Sequence, residues 1–301
     1  MRFLKHFMLL LFCQPIWSYA KIDFNHLHRA VESKIDIATV SLNLAKEVYP
    51  DIELKTYLIQ VDFIARRVGK IVNGSKDPDY RIRAINTVLF QELNFSYDLE
   101  DPLGMKPENR FINKTLETKK GNCYTLPLLY ISIAQRLGYP IYPVLAPEHI
   151  FARYESPPLK SSNIEVTARG GEATDEQYIR DFKIPRKSIE SGAYLSTLTY
   201  KEYLSELFAN SGAYWAGKKE FRRAENYTAE AIRFRENTPE SHMLMAKLLN
   251  GELIDKKMTV TQDHPIGRKI NEHKLRSLAL GLVTLPKEEY LKTVSLNLRK
   301  P

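Results

Sequence analysis

Three side chains of this chain are of the types that act together on a carbonyl carbon: Cys123, His149 and Glu165. A cysteine nucleophile needs a base to take its proton and a third group to fix the base's tautomer and orientation. Cys123 follows Lys119-Lys120-Gly121-Asn122 and precedes a compact apolar stretch, Leu126 to Leu137, that stops at Gly138. That stretch reads as a buried helix ended by glycine. Cys123 then sits at a helix N-terminus, where unpaired N–H groups and the positive end of the helix dipole favour the reactive thiolate. The competing reading is a buried, inert thiol, a common state of free cysteine.

Among seven histidines, His149 is the one in a strand-like region; His26, His28, His242, His264 and His273 lie outside it and His6 lies in the leader. Two polar residues on a neighbouring strand, Glu165 and Asn163, could engage its far ring nitrogen. A carboxylate stabilises an imidazolium better than an amide does, which favours Glu165. For a tetrahedral oxyanion the backbone N–H of Cys123 is the first donor. The Asn122 side chain is the second, set against the ordinary capping role of an asparagine before a helix.

The N-terminus reads as a secretory leader. Arg2 and Lys5 precede the apolar run Phe7 to Cys13, and Ser18-Tyr19-Ala20 supplies a cleavage site after Ala20. Residues 1–20 are thus expected to be removed, placing the mature chain in the periplasm or outside the cell. Cys13 leaves with them, so Cys123 has no intramolecular disulfide partner. No later segment reaches the roughly 20 apolar residues of a membrane span.

The net formal charge is +8 over 301 residues, but the basic residues are interspersed with acids and carry no zinc-finger, RNA-recognition or helix-turn-helix pattern, which argues against nucleic acid. One cysteine and one well-placed histidine do not make a tetrahedral metal site. There is no glycine-rich phosphate loop. The expectation is therefore no metal and no cofactor.

The elements that must position these residues fall into three groups. Apolar residues at helical spacing predict three helices between residues 26 and 95, broken at Tyr49-Pro50 and Asn73-Gly74, and a short helix over 111–118. After Gly138 come extended runs at 141–145, 149–154 and 163–167, read as a small antiparallel sheet in which His149, Phe151 and Arg153 share one face. Thr174-Asp175-Glu176-Gln177 and Thr199-Tyr200-Lys201-Glu202 are capping boxes that open helices. Beyond the second, Gly212 to Pro239 is similar to one tetratricopeptide repeat, with an ordinary helical hairpin as the plain alternative. The mature chain divides into residues 21–198 and 199–301.

In order along the chain, Ala45-Lys46-Glu47-Val48-Tyr49-Pro50, Leu89-Phe90-Gln91-Glu92-Leu93-Asn94-Phe95, Asp101-Pro102, Asn109-Arg110-Phe111, Lys120-Gly121-Asn122-Cys123, Leu137-Gly138-Tyr139-Pro140 and Pro147-Glu148-His149-Ile150-Phe151-Ala152-Arg153-Tyr154 resemble the bacterial transglutaminase-like superfamily, particularly its SirB-type members. The resemblance covers residues 37 to 182. It implies a papain-like, transglutaminase-like core, which with the N-terminal helical layer and the C-terminal helical, repeat-like segment read above makes an α+β fold. It carries the roles of nucleophile, base and orienter onto Cys123, His149 and Glu165, with Asn163 as the alternative third member. Two positions depart from the family pattern. Glu148 stands where glycine is usual, and Glu165 where aspartate is more common.

The function expected is an exported cysteine enzyme, acting as acyltransferase, amidase or protease on a protein or peptide substrate, a cell-wall peptide among the candidates. The rival is a non-catalytic peptide- or protein-binding module of the same fold. In either case the C-terminal helices could receive a protein partner.

Overall fold

The computed structural model describes residues 22–155 and 162–298; the leader read over residues 1–20, with its cut after Ala20, lies outside them. The chain begins with α1 (Phe24–Arg29), α2 (Ile37–Val48), α3 (Leu54–Val72) and α4 (Pro78–Asn86). Asp36 opens α2 by accepting from the Thr39 N–H, and Asp77 opens α4 by accepting from Asp79 and Tyr80, with Pro78 in the first turn. Their apolar stripes, carried by Ile37, Leu42, Val61, Val68 and Ile85, are fully buried. The last turns of the third sequence-read helix form a π-helical stretch, Thr87–Glu92.

A two-residue parallel pair, β1 (Ser96–Tyr97) with β2 (Lys120–Gly121), brackets α5 (Ile112–Thr118) and delivers the chain to α6 (Thr125–Arg136). Ten consecutive residues of α6, Thr125 to Ala134, are buried, so this helix is the hub of the fold. It packs on an antiparallel sheet of β3 (Ile141–Ala146), β4 (His149–Tyr154), β5 (Ser162–Glu165) and β6 (Gly171–Ala173), in that spatial order. β5 is shorter than the sequence suggests. The Glu165 side chain accepts from the Thr167 N–H, which turns Val166–Ala168 into a 3-10 helix and takes it out of the ladder. The chain then returns as β6, a strand with no period-two signature of its own.

The two capping boxes open α7 (Asp175–Asp181) and α9 (Tyr200–Gly217), with α8 (Arg186–Glu190) between them. α9 forms a hairpin with α10 (Phe221–Phe234), followed by α11 (Pro239–Asp255), α12 (Pro265–Ala279) and α13 (Lys287–Leu298). The hairpin closes tightly at Gly212, where a Cβ would stand 2.5 Å from Thr228 Oγ1 and 3.2 Å from the Ala224 carbonyl. Tyr203, Leu204, Leu207 and Phe208 of α9, and Leu285 and Tyr290 near the C-terminus, belong to the same apolar cluster as α2, α6 and the sheet. Helix and sheet therefore share one core across the position 198. No helix among the described residues is long and apolar enough to cross a membrane.

Candidate catalytic site

Gly121 lies in β2 because a Cβ there would collide with Thr125 Oγ1 at 2.8 Å and Leu126 Cγ at 2.9 Å. This close approach lets the strand run straight into the start of α6. Asn122 then caps the helix: its Oδ1 accepts from the Tyr124 and Thr125 N–H groups, both at 2.9 Å, and its Nδ2 donates to the Asn109 carbonyl at 3.1 Å. The side chain read as a second oxyanion donor is thus held in a cap, because a helix start leaves N–H groups that only such an acceptor satisfies. The Cys123 N–H is not among those it caps.

Asn109 is itself fixed by two buried carboxylates. Its Nδ2 donates to Asp98 at 2.9 Å and to Asp101 at 2.8 Å, and Asp101 also accepts from the Met105 and Lys106 N–H groups. The Asp101-Pro102 and Asn109-Arg110 motifs therefore build the loop that supports Asn122, and through it the position of Cys123. Arg110 continues the tie outward, exchanging reciprocal hydrogen bonds with Asn210 of α9.

His149 is the first residue of β4 and is 3% exposed. The turn before it needs Glu148 at φ 55°, left-handed backbone that glycine adopts without strain. That is the physical reason for glycine as the usual residue there. His149 Nε2 meets Glu165 Oε2 at 2.8 Å, and its ring stacks on Phe182 with centroids 5.1 Å apart. Nδ1 has no hydrogen-bond partner of its own and is the nitrogen left for the Cys123 thiol. Burial alone would strip the proton from His149. The Glu165 charge and contact with Cys123 overcome it and push the imidazole up to about 10.

Glu165, 1% exposed, is correspondingly held ionised: burial pushes its carboxyl up, but the His149 charge and hydrogen bonds from His149, Thr167 and Tyr178 bring it below its ordinary value. Its Oε1 accepts from the Thr167 N–H at 3.0 Å and the Thr167 hydroxyl at 2.6 Å, while Oε2 also accepts from the Tyr178 hydroxyl at 2.9 Å. Every one of its oxygens is thus aimed. Asn163 stands elsewhere. In the register it pairs with Arg153, whose Nε donates to its Oδ1 at 2.7 Å, and its Nδ2 donates to Asp175. The structure brings Cys123, His149 and Glu165 together and leaves Asn163 in a separate ion-pair network.

A family profile for the transglutaminase-like superfamily matches residues 55–207. The chain belongs to the transglutaminase-like superfamily. A UPF0162 protein of Xylella fastidiosa (strain Temecula1) is 24% identical over 247 residues, covering 75% of this chain and 79% of that protein. A UPF0162 protein of Buchnera aphidicola subsp. Acyrthosiphon pisum is 23% identical over 141 residues, covering 45% of this chain and 47% of its own. Human F-box only protein 21 is 29% identical over 122 residues, covering 35% of this chain and 19% of that protein. No solved structure matches the chain.

Among the described residues, no group of three or more His, Cys, Asp or Glu side chains could hold a metal ion. Beside the thiol lies a cavity of about 600 Å³ whose wall includes Met105, Arg110, Leu145, Glu206 and Glu240. Sequence reasoning missed the residues that orient the orienter. Thr167 follows Glu165 by two positions, a spacing at which side-chain to backbone bonds are common. Tyr178 in α7 and Phe182 at its C-cap stand four apart, a spacing that sets two side chains on one side, but nothing local marks them as the wall behind His149. Tyr290, whose hydroxyl lies 3.3 Å from Cys123 Sγ, carried no signal at all, being 167 residues away.

Proposed function

We propose that this protein is a cysteine-nucleophile acyl-transfer enzyme acting on peptide or carboxamide bonds, with Cys123 as nucleophile, His149 as base and Glu165 as orienter. The observation that carries this reading is the buried 2.8 Å His149–Glu165 contact beside a cysteine at the start of a helix. A helix beginning at the nucleophile and packed on a sheet that holds the other two residues also supports the papain-like reading of the core. The hairpin of α9 and α10, pinched at Gly212, supports a repeat-like C-terminal segment whose role is to wall the cleft.

With Nε2 committed to Glu165, His149 holds the proton taken from the thiol at Nδ1 as an imidazolium beside the thiolate, and the thiolate attacks the carbonyl carbon. The Cys123 N–H stabilises the oxyanion, a class of donor typically worth about 3 kcal/mol in the transition state. Collapse breaks the C–N bond, and His149 returns its proton to the departing amine or ammonia. Water or a second amine then attacks the thioester, regenerating the thiol. Water gives hydrolysis and an amine gives cross-linking. The leader read in residues 1–20 favours an envelope or extracellular peptide, cell-wall stem peptides included.

The deciding experiment is alkylation of Cys123 by iodoacetamide across pH in the wild type and in His149→Ala, followed by acyl-enzyme detection by mass spectrometry on quenched mixtures with glutamine-containing and cell-wall peptides. The wild type should react much faster at neutral pH. Equal rates in the two proteins would remove the base and with it the enzyme reading.

A further inference from the structure

We propose that Tyr290 is a further catalytic residue, donating its hydroxyl hydrogen to the Cys123 thiolate from the C-terminal helix. The inference rests on the cysteine reading above and concerns the same sulfur. Tyr290 Oη lies 3.3 Å from Cys123 Sγ and 3.2 Å from the Glu148 carbonyl, while Sγ lies 3.6 Å from that carbonyl. Three polar atoms from three distant segments thus form one small triangle, and the hydroxyl has a single proton to give to either of two acceptors.

The charge state of the sulfur selects between them. A neutral thiol is a weak acceptor, so the hydroxyl bonds the Glu148 carbonyl. A thiolate is a strong one, and the charge-assisted bond draws the proton to sulfur. Tyr290 is able to play this part because it does not ionise: burial first, then the neighbouring Cys123, push its hydroxyl far above the ordinary tyrosine value. The ring is 6% exposed and belongs to the main apolar cluster, so the hydroxyl is placed by packing. α13 is held beside the site by Thr293, whose hydroxyl donates to the Asp181 carbonyl at 3.2 Å, and by the Lys183–Glu289 ion pair. Asp181 adjoins Phe182, the residue on which the His149 ring stacks. The helix that brings the hydroxyl is therefore anchored to the wall that holds the base.

The titratable groups facing this sulfur are His149 from β4, Tyr97 from β1, Tyr203 from α9 and Tyr290 from α13, with the Glu148 carboxyl acting on Tyr290. Tyr290→Phe removes one donor from this set and leaves the ring.

The test is the pH profile of iodoacetamide alkylation for the full mature chain, wild type against Tyr290→Phe, with thermal melting to verify the fold. The midpoint should rise by about one to two pH units, the equivalent of one hydrogen bond to a charged group. The freed thiolate is also more basic, so the rate above both midpoints should rise about threefold per unit. Incorporating 3-fluorotyrosine at 290, a stronger donor of nearly the same shape, should move the midpoint down and keeps the test available if the Phe variant folds poorly. An unchanged midpoint overturns the proposal, whether the rate is unaltered or faster at every pH as a mere steric cover would give. His149→Ala is read alongside: if it matches the wild type, the acyl-transfer reading fails, while the Tyr290→Phe shift still decides the hydrogen bond.

Discussion

Two carboxylates near the cleft carry opposite electrostatics, one fully buried at Glu165 and one half-buried at Glu240. Glu165 stands behind His149, and Glu240 of α11 lines the cavity wall. Burial pushes both upward. Glu165 meets an imidazolium and three donor groups from Thr167 and Tyr178, and ends below the ordinary value. Glu240 has the Tyr194 hydroxyl and the field of Arg235 to lower it, but Glu206 repels it, and it ends at about 7. Desolvation raises both acids, and the donors and charges in contact decide which one is an anion. That difference separates an orienter of histidine from a group that can hold a proton in the cavity.

The largest expected effect is on reactivity. In Glu165→Gln an amide N–H₂ can face His149, which favours Nε2 as an acceptor and moves the ring proton to Nδ1, the wrong tautomer for deprotonating a thiol. Alkylation of Cys123 at neutral pH should fall about 100-fold or more. Glu240→Gln should stay close to wild type. Equal losses in the two variants would erase the contrast.

The pH dependence of stability should separate the same two acids. His149 is raised from 6.5 to about 10, so its contribution is fully present below pH 6.5 and is lost as pH climbs through about 10. Glu165, being lowered, contributes above its unfolded value of 4.5 and loses that contribution as pH falls through its folded value. Glu240 runs the other way. Raised from 4.5 to about 7, it takes up a proton on folding, so stability declines as pH rises through that interval. Melting temperatures across pH should show the advantage of wild type over Glu165→Gln shrinking towards pH 10, and the decline between 4.5 and 7 flattening in Glu240→Gln.

Tyr178→Phe is a finer probe. It removes one of the donors to Glu165 Oε2 and should cost about 1.5–3 kcal/mol in denaturant unfolding, with a smaller loss of thiol reactivity than Glu165→Gln. A gain in stability would mean the hydroxyl is not holding the anion.

Asn163→Ala should have the smallest effect on chemistry. It strands the Arg153 guanidinium without one acceptor, costing about 1–3 kcal/mol, yet leaves the alkylation rate unaltered. Loss of reactivity in a folded Asn163→Ala protein would give Asn163 the orienting role.

The sequence by itself determined the local devices. Helical periodicity set α2 and α3, two capping boxes set the starts of α7 and α9, and period-two runs set β3 and β4, because each depends on contacts within a few residues. It also marked Cys123 and His149, whose types and order are chemically specific, and narrowed the third residue to Glu165 or Asn163. Charge favoured Glu165 within that pair, but it is the tertiary structure that sets Glu165 against His149 and Asn163 against Arg153. Residues two apart on a strand share a face, so the distinction rests on where β4 and β5 register, with Asn163 opposite Arg153 and Glu165 beyond the ladder beside His149. The end of β5 at Glu165, the capping bond of Asn122 and the approach of Tyr290 were hidden for the same reason. Each depends on which atom wins a competition for one donor or acceptor in three dimensions, and a linear pattern of residue types does not record the distances that settle it.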